Sequence, residues 1–116
     1  MVAMNEVAFP TEGNNLDAVV SDHFGRARNF LVYDLEKRNF EVYPNPEARG
    51  KRILPPRFLK QLDVDGVVSF GLGLPAFSLF ENLGIKMFKA VKGSVEDNLE
   101  KLKEDSLQDL TEEDFI

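Results

Sequence analysis

GVVSFGLGLPAFSLFENLGIKMFKA, residues 66–90, reads as strand, helix and strand in quick succession. Gly66-Val67-Val68-Ser69-Phe70 is a short apolar run of the kind buried on both faces of a sheet. Pro75 to Leu83 places Phe77, Leu79, Phe80 and Leu83 at helical spacing, and Gly84 stands where a C-cap glycine belongs. Ile85 to Ala90 returns to strand. Two strands joined through a helix by short connections form a parallel pair with a right-handed crossover, so this part of the chain is α/β.

Upstream, Val7-Ala8-Phe9 closes a first strand that is expected to stop at Pro10 and empty into the polar turn-formers Thr11 to Asn15. Phe30 to Leu35 predicts an interior strand, with a hairpin through Glu36 to Asn39 into the more exposed Phe40-Glu41-Val42-Tyr43. Pro44 to Arg52, polar and twice interrupted by proline, predicts a surface loop. A short helix follows Pro55-Pro56, with Phe58, Leu59 and Leu62 on one face. Ser94 is the expected N-cap of a last helix carrying Val95, Leu99 and Leu102. Residues 107–116, rich in acid, predict a frayed tail outside a single domain of residues 1–106.

The chain has 116 residues, 43% of them hydrophobic, which suits one domain with one core. A net charge of -6 argues against non-specific association with nucleic acid or an anionic membrane, since both require an excess of lysine and arginine. There is no cysteine, so any metal must be held by nitrogen or oxygen donors. Met1 to Pro10 shows no basic start leading into a long apolar run, and no stretch approaches the roughly 18 apolar residues of a membrane span. The expectation is a cytoplasmic protein.

Chemistry concentrates in Ser21-Asp22-His23-Phe24-Gly25-Arg26-Ala27, which holds the single histidine. A neutral imidazole is a ready metal ligand, and the planar fork of Arg26 suits an anion. The competing expectation is a structural histidine that bonds backbone carbonyls and fixes its loop. One histidine cannot hold a structural zinc, which takes four protein ligands. Gly71-x-Gly73-x-x-Ala76 imitates a dinucleotide fingerprint, yet Val91-Lys92-Gly93 stands where an acid would be needed, leaving a tight turn or a general anion cradle. Arg26, Arg28, Lys51, Arg52 and Arg57 would form a basic rim if the proline-rich loop folds back over the histidine.

GNNLDAVVSDHFGRA, residues 13–27, resembles the dinitrogenase iron-molybdenum cofactor biosynthesis family, whose small domains carry a similar V-S-x-H-F-G-R-A segment. The likeness extends through Phe30 to Leu35, Glu41-Val42 with Asn45-Pro46, the glycine loop Gly71 to Ala76, Gly84-Ile85-Lys86 and Val95-Glu96. The resemblance implies an RNase H-like three-layer α/β/α fold with a mixed five-stranded sheet, and a role in binding, carrying or assembling metal-sulfur cofactors. It makes His23 the favoured metal contact, with Ser21, Phe24, Gly25 and Arg26 on the same motif and Gly71 and Gly73 on the second loop. Many relatives place a cysteine where this chain has Ser69-Phe70. A fold of this kind raises the question of a two-metal nuclease, but Asp34 is the single carboxylate inside an apolar strand, and the others fall in loops.

These readings converge on a non-catalytic carrier for an anionic iron-molybdenum cofactor or iron-sulfur cluster, working with cofactor-assembly proteins as a monomer or homodimer. The alternative is a protein-interaction module of the same fold that binds no metal, for which the 10 phenylalanines would supply an apolar surface.

Overall fold

The computed structural model describes residues 4–115. Its strands are β1 (Glu6–Thr11), β2 (Asn29–Asp34), β3 (Asn39–Pro44), β4 (Gly66–Ser69) and β5 (Lys86–Lys89). The helices are α1 (Pro55–Gln61), α2 (Leu74–Leu83) and α3 (Val95–Lys103). Single 3₁₀ turns lie at Phe24–Arg26, Glu47–Arg49 and Glu112–Asp114. One sheet of order β3-β2-β1-β4-β5 is antiparallel from β3 to β1 and parallel from β1 to β5, so it is mixed and five-stranded, as expected.

Strand alternation feeds two cores. Ala8, Phe30, Val32 and Val67 turn to one face, where they meet Leu59 of α1 and Phe80 of α2. Val7, Phe9, Leu31, Tyr33 and Val68 turn to the other, against Val95 and Leu99 of α3. The strands are hydrophobic on both faces because both faces are covered, giving three layers. Gly84 adopts the left-handed φ of 74° that ends α2, and Ser94 and Asp97 form a reciprocal capping box at α3.

Three expectations need correction. β1 runs through Pro10 to Thr11 instead of stopping at the proline. The Leu35 amide donates to the Asn5 carbonyl, so in the alternating ladder Pro10 and Phe30 form a pair that exchanges no hydrogen bonds, and the missing amide costs the β1–β2 ladder nothing. The proline-rich loop is only partly a surface loop, because Asn45 and Pro46 are buried.

The acidic stretch after residue 106 does not stand off as a frayed tail within the described residues. It runs along the open side of β5, where the Lys89 amide donates to Gln108 and the Leu110 amide donates to Met87. Leu110 is buried in the core on the α1 and α2 side, and Phe115 packs edge-on to Phe77 with centroids 5.0 Å apart. Burying one leucine is worth about 1.5–3 kcal/mol, and the two backbone bonds to β5 and the Phe115 contact add to it. Asp114 bonds Lys89 at 2.9 Å, and its carboxyl is held below the usual range by the Thr111 amide and that lysine. Among the described residues, no helix is long and apolar enough to cross a membrane.

Candidate functional site

β1 and β4 are parallel neighbours, so the histidine loop leaving β1 and the glycine loop leaving β4 emerge at the same end of the sheet. Carboxyl ends of parallel strands, where connections diverge to different faces, are where open α/β sheets form crevices. The first part of the histidine loop is stitched to the start of α3. Val20 donates to Gly93, Val95 to Ala18 and Glu96 to Leu16.

The motif itself then folds into the tight turn Phe24–Arg26. Phe24 is buried, 5.1 Å from the Phe30 ring and 5.4 Å from Phe80, so its ring plugs the core and pins the turn. His23, Gly25 and Arg26 are exposed around that plug. Among the described residues, nothing hydrogen-bonds the His23 ring or pairs with the Arg26 guanidinium. The structural-histidine expectation therefore finds no support in the bonding.

Other side chains fix the loop. The buried Ser21 hydroxyl donates to the Glu12 carboxylate at 2.6 Å, and the same carboxylate oxygen accepts the Arg28 amide at 3.2 Å. From the far side Asn45, fully buried, donates from Nδ2 to the Gly25 and Ala27 carbonyls at 3.2 and 2.9 Å. Neither Glu12 nor Asn45 was singled out by residue chemistry. Asn45-Pro46 entered only as part of the family likeness, and its polar, proline-flanked setting read as solvent-facing.

Two cavities flank the turn. Ser21, Asp22, His23 and Arg26 line a groove of about 560 Å³ with Glu12, Gly13 and the 18–20 segment. On the other side, Phe24 and Gly25 meet Gly73, Pro75, Ala76 and Leu79 of α2, with Leu54, Pro55, Pro56 and Glu47, around about 260 Å³. The structure thus joins Gly73 to Gly25 but divides both from His23. Gly71 is buried, its carbonyl accepting the Ser69 hydroxyl at 3.0 Å, so Ser69 serves the turn. Of the expected basic rim, Arg26 lines the groove and Lys51 lines a separate apolar hollow with Tyr43, Ile53 and Phe58.

The resolved titration shifts lie outside the groove. Tyr43 is pushed up to about 12 by its hydrogen bond to Glu41 and by burial. Glu6, at the opposite end of β1, is raised by burial and then by Asp34, Asp65 and Asp63.

Residues 5–105 match the family described as dinitrogenase iron-molybdenum cofactor. The chain belongs to that family. An uncharacterised protein of Methanocaldococcus jannaschii is 26% identical over 113 residues, covering 92% of each chain. Among solved structures, a Thermotoga protein provisionally named NifB is 28% identical with a TM-score of 0.77, covering 91% of this chain and 93% of its own. The apo form of the orange protein from Desulfovibrio gigas superposes with a TM-score of 0.85 over 96% and 97% of the two chains, and at 21% identity it shares the fold. The match to the family ends at residue 105, before the strap of residues 107–115.

The donor set sets limits on any metal this family member handles. Among the described residues, no three His, Cys, Asp or Glu side chains converge on one point. The groove offers one imidazole, one guanidinium and the carboxylates of Glu12 and Asp22, with no thiolate. That is enough to cap a cluster that keeps most of its own ligands, and too little to build one from free ions.

Proposed function

We propose that this protein is a non-catalytic carrier that holds an anionic metal-sulfur cargo, the iron-molybdenum cofactor or a precursor, at the histidine turn. His23 supplies one exchangeable donor to an exposed metal, and Arg26 pairs with the cluster's negative charge. The observation that carries this reading is that His23 and Arg26, both without a protein partner among the described residues, line one groove on a turn fixed by other side chains. Weak single-point attachment suits a carrier, since a cargo must also be released.

The test is an anaerobic titration of wild type and His23→Ala with isolated iron-molybdenum cofactor and with a simple iron-sulfur cluster, following metal that co-elutes with protein. Wild type is expected to retain the cofactor and His23→Ala to lose it. The unfolding midpoint should hold, because exposed substitutions change stability by less than about 0.5 kcal/mol. Equal retention by both would remove the histidine role.

A second reading, a partner-binding module without metal, is favoured by the apolar cavity and its rim. Leu54, which lines it with Pro55, Pro56 and Leu79, is 52% exposed. Retention by neither protein in the titration would select it.

A further inference from the structure

The turn that presents His23 is poorly held by its own backbone. Its two internal bonds, Arg26 amide to His23 carbonyl and Ala27 amide to Phe24 carbonyl, are 3.3 and 3.4 Å long, and His23 makes no side-chain cap. A single 3₁₀ turn with such bonds has little stability of its own. Gly25 at its centre has no heavy atom within 4 Å of a would-be Cβ, so packing does not lock that residue.

Two side chains from distant parts of the chain make up the difference. Glu12, just past the end of β1, brackets the turn with one carboxylate oxygen, taking Ser21 Oγ before it and the Arg28 amide after it. Asn45, just past the end of β3, holds the carbonyls of Gly25 and Ala27, and its own amide donates to the Arg28 carbonyl at 2.9 Å. Its Oδ1 accepts the Glu47 amide at 3.1 Å, tying the turn to the segment that walls the apolar cavity. Every hydrogen-bonding group of this buried side chain is therefore committed to the turn or to its neighbour.

We propose that Glu12 and Asn45 are positioning residues that hold the His23 turn in its cargo-ready shape before any cargo arrives. This rests on the reading of His23 and Arg26 as cargo contacts. A buried asparagine serving only the fold could satisfy itself anywhere. Here its two donors go to carbonyls of the one turn whose outer face carries the unpartnered imidazole and guanidinium. Preorganisation of this kind spares a weakly attached cargo the entropic cost of ordering its own site.

Amide exchange of the cargo-free protein, followed by NMR, reads the turn directly, and anaerobic retention of isolated iron-molybdenum cofactor reads the consequence. Glu12→Ala is expected to speed exchange at Arg28 and Ala27 about tenfold, leave Val32 and Val67 in the core strands unchanged, and weaken retention about tenfold. Glu12→Gln keeps an oxygen that accepts both bonds, so it should restore slow exchange and retention. Asn45→Asp keeps the acceptor for Glu47 while losing both donors, and should loosen Ala27 and weaken retention likewise.

Faster exchange with undiminished retention would overturn the positioning role. So would a Glu12→Gln variant as impaired as Glu12→Ala, which would assign the effect to charge. The parent reading fails separately, if His23→Ala keeps the cofactor. Because Glu12 is exposed and belongs to neither core, its pair of variants decides the matter even where Asn45→Asp folds poorly.

Discussion

On one side of the Phe24–Arg26 turn, Phe24 and Gly25 face Leu54, Pro55, Pro56 and the start of α2 across an apolar cavity. On the other, His23 and Arg26 share a wider groove with Ser21, Glu12 and Asp22. Consecutive residues of one short motif thus serve opposite purposes. Phe24 is core, part of the same cluster as Phe80 and Leu110, and the residues beside it are exposed. A three-residue turn sends neighbouring side chains in different directions, so a burial anchor and a donor pair can be interleaved without competing. The apolar side continues the core, whereas the polar side is an open surface fixed by hydrogen bonds from Glu12 and Asn45.

The largest expected effect breaks the comparison altogether. Phe24→Ala removes the plug shared by both sides and should cost about 3–5 kcal/mol in denaturant unfolding, with the groove lost as well. Leu110→Ala acts on the core side from a distance. It should cost about 2–5 kcal/mol if the strap belongs to the domain, and almost nothing if residues 107–115 are an independent tail.

Gly25→Ala separates the two sides without disturbing either. A Cβ there meets nothing and the backbone is not in the left-handed region, so stability should hold or rise by about 0.4–1 kcal/mol. Since Gly25 lines the apolar cavity, undiminished cofactor retention would confine the cargo to the His23 groove, and reduced retention would extend it across the turn.

The smallest effect concerns acid. Asp114 has a folded pKa below its unfolded value, so its contribution is complete above about pH 4 and is lost as pH falls through the folded value. Unfolding curves measured down that range should show a step present in wild type and absent in Asp114→Asn, with the His23 side unaffected.

How much of this was legible beforehand depends on the range of the interactions involved. The strand-helix-strand run of 66–90, the hairpin and the Ser94 cap rest on periodicity and local capping, and all three stand in the structure. Composition alone argues for a free tail because Asp109 to Asp114 outweigh one leucine, whereas in space Leu110 finds a core and Asp114 finds Lys89. Pro10 reads as a stop because it lacks a donor, but that matters only where the ladder needs one, and register decides that.

By itself, the sequence determined the α/β class, the place of each helix and strand apart from the end of β1, and the side-chain types from which a metal or anion contact could be drawn. Those follow from short-range periodicity, caps and side-chain chemistry. The tertiary structure alone decided that His23 and Gly73 face different cavities, that Ser69 serves a turn, and that Glu12 and Asn45 hold the motif from two sides. Each depends on segments far apart in the chain meeting at one end of the sheet, and no local pattern records which carbonyl a buried asparagine will find.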